Sequence, residues 1–199
     1  MRKTRAEKQI ETRGRVLDAA RELYVARGLE GVSVEAVAEA AGFSKGAVYA
    51  NFLNKSDMLL AVWRAHFEGK REQFAAAFRV AHDDETLIDA IRSVMVSIFE
   101  AGPWPVLAAE IRRRDELSDL AAELDRLERA EQAELAAVVD ELHRRLDRPL
   151  LMPLAALTQT LVALGEGLVL RAKPDHLDAG MMADRFMAVL IAAMGTRRA

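Results

Sequence analysis

The 199-residue chain contains no cysteine. That excludes disulfides, thiolate catalysis and zinc–sulfur sites, and it suits a reducing cytoplasm. Strand signals are missing as well: there is no clean period-two run and no Asn-Gly hairpin. The four histidines, His66, His82, His143 and His176, show no metal-ligand spacing with one another, and neither H-E-x-x-H nor G-x-S-x-G occurs. An enzyme and a metal site are therefore not expected, and no cofactor is implied. The N-terminus, MRKTRAEKQIETRGR, lacks the apolar run of a signal peptide. One long apolar segment, residues 150–170, is interrupted by Pro153, Thr158, Gln159, Thr160 and Glu166. An acidic side chain at the bilayer centre costs roughly 2.5–3.5 kcal/mol, so a helix covered by core or by a partner subunit is expected there, not a membrane span.

What is present is helical. Half of the residues are hydrophobic and 30% are charged, the balance of a folded soluble protein, and apolar residues recur at helical spacing almost throughout. The pattern predicts an all-α fold of about nine helices. The first spans about 6–27, with Ile10, Leu17, Ala20 and Tyr24 inward, Val16 and Leu23 flanking, and Gly28 as its stop. Ser33 is placed to cap a short helix carrying Val34, Val37, Ala38 and Ala41 on one face. Gly42 breaks that helix, Phe43 reads as a plug into the core, and Ser44 caps a helix of under two turns with Ala47, Val48 and then Phe52 on or near its apolar side. Longer helices follow at about 56–81, 84–101, 116–147, 153–172 and 176–194, with a short one around Val106–Ile111. Trp63, Phe67, Phe74 and Phe78 share a face of the 56–81 helix, and Asp83 caps the next. The expected organisation is a three-helix head, residues 1–55, and a helical body, residues 56–199.

Charge is uneven along this plan. Residues 1–55 hold ten Lys+Arg against seven acids, a net of +3, and the remainder is −6. A basic head on an acidic body suits a polyanion partner, although a solvated helix face accounts for the charge equally well.

Residues 33–52 have the parts of a helix-turn-helix. One short helix braces the other, a glycine permits the sharp turn, and the second helix turns small or polar residues outward, as a major groove about 12 Å wide requires. Those outward residues are Lys45, Gly46, Ala47, Tyr49, Ala50 and Asn51. Ser33 and Ser44 at the helix starts, Tyr49 through its hydroxyl and Lys55 just beyond suit phosphate contacts, and Asn51 suits a phosphate or a base edge. Arg2, Lys3 and Arg5 are placed to trail into an adjacent groove. Singly each has an ordinary alternative: a simple cap, a half-buried aromatic, a solvated lysine. The joint spacing favours the DNA reading.

The stretch AARELYVARGLEGVSVEAVAEAAGFSKGAVYANFLNKSDML resembles the TetR family of bacterial transcriptional regulators through the pattern G-F-S-K-G-A-V-Y-x-x-F-x-x-K-x-x-x-L. Asn51 stands where that family often has histidine, Leu53 where it often has proline, and Ser33 where it often has threonine. The resemblance covers about a third of the chain. It implies a homodimer joined by the last two long helices, here 153–172 and 176–194, and a pocket for a small-molecule effector among the helices of 56–147. Trp63, Phe67, Met95, Phe99, Trp104 and Glu131 are the candidate lining. Stripes of this kind are also ordinary core, and Glu131 also suits an ion pair. The expected function is a repressor released from a palindromic operator by a small hydrophobic ligand; the alternative is a ligand-independent DNA-binding dimer controlled by a protein partner.

Overall fold

The structure is a computed structural model in which residues 4–196 are described, apart from the side chains of positions 5 and 6. Among the described residues there are nine α-helices and no strand. They pack as two units, residues 1–66 with 107–124, and residues 67–106 with 125–199. These units do not follow a single cut at residue 55, because one continuous helix runs from Lys55 to Val80 and a later segment rejoins the first unit.

In the first unit α1 (Arg5–Arg27) opens on a reciprocal cap. Thr4 Oγ1 accepts from the Glu7 amide at 3.2 Å while the Glu7 carboxylate accepts from the Thr4 amide at 2.6 Å. It stops at Gly28, whose φ of +70° suits glycine. Its buried stripe is Val16, Ala20 and Tyr24, whereas Ile10 is 72% exposed and Leu17 and Leu23 are half-buried. The expected inward Ile10 is thus corrected, and length explains it. The bracing helices α2 (Val34–Ala41) and α3 (Lys45–Tyr49) have eight and five residues. At about 1.5 Å per residue they are far too short to cover a helix the length of α1. The unit is completed by the start of α4 (Lys55–Val80), the end of α6 (Trp104–Arg112), a 3-10 turn at Asp115–Leu117 and the start of α7 (Ser118–Arg145). Met58, Leu59, Trp63, Ile111 and Leu124 are buried in it. The long helix expected from 116 begins two residues late, because its first turn is drawn tight into that 3-10 turn.

In the second unit α5 (Asp84–Glu100) packs against α9 (Ala179–Ala192), which also packs on α8 (Leu154–Arg171). Asp83 caps α5 as expected, its Oδ1 accepting from the Thr86 amide at 2.8 Å. Phe99 meets Phe186 edge-on with centroids 6.3 Å apart, a favoured aromatic geometry. Arg92 and Asp184 form an ion pair across α5 and α9 at 2.6 Å. The last helix is shorter than 176–194. Asp178 caps it by accepting from the Met181 amide at 2.8 Å, and the chain after it pairs with residues 149–151 through Leu151 N–H to the Ala193 carbonyl at 2.9 Å. By length and composition α8 is apolar enough to cross a membrane; Leu157, Thr158, Leu161 and Leu168 are buried in the core of this unit. Thr158 satisfies its hydroxyl on the Leu154 carbonyl at 2.8 Å.

Candidate nucleic-acid interface

Two serines and one glycine shape the segment that carries the candidate residues. Ser33 Oγ accepts from the Ala36 amide at 3.1 Å and starts α2; Ser44 Oγ accepts from the Ala47 amide at 3.2 Å and starts α3. Between them Gly42 lies in the left-handed region, φ +74°, and closes α2 through Gly42 N–H to the Glu39 carbonyl at 3.0 Å and Phe43 N–H to the Ala38 carbonyl at 2.8 Å. Val48 and Phe52 are buried and anchor α3. Its other side carries Lys45, Gly46, Tyr49 and Ala50 exposed, with Ala47 and Asn51 half-buried. Tyr49 is 47% exposed, so about half of its surface is open to a partner.

Three polar side chains are already engaged. Lys45 pairs with Glu35 of α2 and lies 5.8 Å from the Tyr49 ring centroid. Their hydrogen bond holds the Glu35 carboxyl below its ordinary range and the Lys45 ammonium above its own. Asn51 Nδ2 donates to the Ala47 carbonyl at 2.9 Å. Lys55, expected to stand free beyond α3, turns inward. Its Nζ donates to the Leu29 carbonyl at 3.0 Å, and burial, with the nearby Arg114 charge, lowers its pKa. A phosphate contact from Lys55 would use the N–H donors that its ammonium does not give to that carbonyl. Arg114 itself bridges Glu30 at 2.7 Å and Glu110 at 2.8 Å. A cavity of about 160 Å³ lies beside Lys55, walled also by Leu29, Leu59, Arg114 and Leu120. Arg2 and Lys3 lie outside the described residues, as does the side chain of Arg5.

Two arginines of α1 escaped the sequence reading. Arg13 Nη1 donates to the Asn51 carbonyl at 2.7 Å with its guanidinium 4.4 Å from the Phe52 ring centroid. Arg15 Nη2 donates to the Ala41 carbonyl at 2.9 Å and stacks 4.8 Å from the Phe43 centroid. Phe43 is half-buried, so it is a platform for Arg15 more than a plug. In the sequence both arginines counted only as charge on a helix, and nothing local marks their targets 26 and 38 residues away.

The candidate effector residues are divided. Trp63 is buried in the first unit, and Phe67, Met95, Phe99, Trp104 and Glu131 fall in the second. Met95 and Phe99 belong to its core. Trp104 Nε1 donates to the Ala101 carbonyl at 3.2 Å. Glu131 pairs with Lys70, whose ammonium is 5.2 Å from the Phe67 ring centroid. None of the six lines the cavity beside Lys55.

A capped helix, a left-handed glycine and a second capped helix with a small-residue outer face, braced on a long helix, define a helix-turn-helix protein. Residues 16–62 match the family described as bacterial regulatory proteins, tetR family. The chain is 46% identical over 61 residues to the HTH-type transcriptional regulator SrpR of Pseudomonas putida, covering 31% of this chain and 28% of that one. It is 30% identical over 100 residues to the HTH-type transcriptional regulator AcrR of Shigella flexneri, covering 50% of this chain and 45% of that one. The chain thus spans less than half the length of these curated relatives. Its fold is shared, at 18% identity and a TM-score of 0.73, with a TetR-family transcriptional regulator from Agrobacterium tumefaciens, over 94% of this chain and 100% of that one. In sequence the chain resembles TetR-family regulators over its N-terminal third, and it shares their fold over nearly its whole length.

Proposed function

We propose that this protein is a sequence-specific DNA-binding transcriptional regulator whose helix α3 enters a major groove. The observation that carries this reading is the outer face of α3. Gly46 and Ala50 leave room for close approach, Lys45 and Tyr49 offer a cation and a hydroxyl on the same exposed face, and Val48 and Phe52 fix that face from behind. Phosphate contacts then come from Ser33, Ser44, Tyr49 and the remaining donors of Lys55; base edges and methyl groups are met by Lys45, Gly46, Ala47 and Asn51. Lys45 exchanges Glu35 for DNA on binding.

Two such helices must stand about 34 Å apart to enter successive grooves, which calls for a homodimer. Apolar residues left exposed on α8 and α9 support one there: Leu170 is 53% exposed, Met181 42% and Val189 37%. The head, 1–55, then reads DNA and the body, 56–199, dimerises and holds a small hydrophobic effector against some of Trp63, Phe67, Met95, Phe99, Trp104 and Glu131, releasing a palindromic operator in the cytoplasm. In the second reading a protein partner replaces the effector; it is favoured by how fully Met95 and Phe99 are absorbed in the core. Selection of bound sites from random double-stranded DNA tests the central claim. A palindromic consensus is the expected outcome; recovery of unselected sequence at physiological salt refutes it.

A further inference from the structure

We propose that Arg13 and Arg15 form a two-armed clamp that sets the angle of α3 against α2, and so act as positioning residues for DNA selectivity without contacting DNA. The inference rests on the DNA-binding reading. Helices α2 and α3 are too short to be stable or to fix their own orientation, and the side chains α3 buries in or just beyond itself are Val48 and Phe52. Val48 and Phe52 fix the inner side of α3, and the arginines add fixed points at the end of α2 and just past α3. Positions two apart on a helix diverge by about 200°, so one guanidinium passes each flank of α1.

Each arm makes the same two contacts. Arg15 holds the last carbonyl of α2, Ala41, at 2.9 Å and covers Phe43, the first residue after the turn. Arg13 holds the Asn51 carbonyl, just past α3, at 2.7 Å and covers Phe52. Carbonyls at helix C-termini lack intrahelical donors and favour a cation. The planar guanidinium can donate in its plane and stack through its face at once, which an ammonium cannot. The turn is built to admit the arm. A Cβ at Gly42 would stand 3.2 Å from Arg15 Nη2, so the glycine that permits the left-handed turn also clears the path to the Ala41 carbonyl.

The clamp separates from a direct phosphate contact by charge-conserving substitution. In the full-length protein, affinities are measured by fluorescence anisotropy for a duplex carrying the selected consensus and a scrambled duplex of equal length, between 50 and 200 mM salt. The double variant R13K/R15K keeps both charges and loses both planes. It is expected to bind the consensus roughly tenfold or more weakly, the scrambled duplex within about twofold of wild type, and with an unchanged slope of log K on log salt. Phe43→Leu, which removes one stacking platform and no charge, is expected to lose consensus affinity in the same selective way, and it decides the matter if the double variant does not fold. The clamp is overturned if R13K/R15K or, failing it, Phe43→Leu keeps full selectivity. It is equally overturned if R13Q/R15Q weakens both duplexes alike with the slope shallower by about 0.9 per arginine, the mark of lost phosphate contacts. A wild-type protein that cannot tell the two duplexes apart refutes the DNA-binding reading itself, an outcome distinct from selective wild type with equally selective variants.

Discussion

The chain has two tyrosines, and removing one oxygen from each should have opposite consequences. Tyr24 is wholly buried, and its hydroxyl has no hydrogen-bond partner among the described residues; burial alone pushes its pKa well above the ordinary tyrosine value. An unpaired buried polar group costs about 1–3 kcal/mol. Tyr24→Phe deletes that cost, and loses in return the contacts of one atom, each roughly 0.1–0.2 kcal/mol, so a net gain of about 1 kcal/mol is expected. For a chain of this size that raises the melting temperature by about 2–4 °C. Urea unfolding followed by circular dichroism should show a higher midpoint at an unchanged m-value, and DNA affinity should not move. Tyr49→Phe should do the reverse. Its ring stays on an exposed face, so stability should change by less than about 0.5 kcal/mol. Loss of a hydrogen bond to a charged phosphate, roughly 1.5–3 kcal/mol, should weaken consensus binding about tenfold to a hundredfold, with no change in salt slope because the hydroxyl is neutral. A loss of stability in Tyr24→Phe would show that its hydroxyl is bonded in solution. A fall in melting temperature without loss of binding in Tyr49→Phe would refute the groove-facing role of α3.

The remaining predictions concern the turn and the charges around it. Gly42→Ala places a Cβ at φ +74° and against Arg15; strain of roughly 1–3 kcal/mol is expected, read as a lower melting temperature together with loss of consensus selectivity, and an unchanged protein would contradict the turn geometry. Glu35→Gln removes the acid that holds Lys45, so Lys45 no longer gives up an ion pair on binding and consensus affinity should strengthen; an unchanged affinity would mean that Lys45 does not meet DNA. Lys55→Ala strips the Leu29 carbonyl of its donor and should lower stability by roughly 1–3 kcal/mol; a melting temperature equal to wild type would place that ammonium in solvent, free for phosphate.

The elements that local chemistry specifies were legible in the sequence. Ser33, Gly42 and Ser44 announce two short helices and the turn between them because capping and a left-handed backbone depend on the residue itself and its near neighbours. The cap at Asp83 was legible for the same reason. Reading failed where the decisive partner is distant. Ile10 continues an apolar stripe on α1, yet the short helices beside it leave it in solvent. Arg13 and Arg15 looked like charge until the fold brought residues 41 and 51 to them. Lys55 is a solvated lysine by composition, and only the position of the α1–α2 loop turns it onto Leu29. The C-terminal helix ends early because its last residues bond to 149–151, which no window on the helix reveals.

The sequence by itself determined an all-helical chain with a capped helix–glycine–helix segment near its start, since periodicity, caps and turn residues are local properties of neighbouring side chains. Tertiary structure alone decided which of the head's cations hold backbone carbonyls in place. An ammonium or guanidinium chooses between solvent and a carbonyl according to what lies within its reach, and that is set by the packing of segments far apart in the chain.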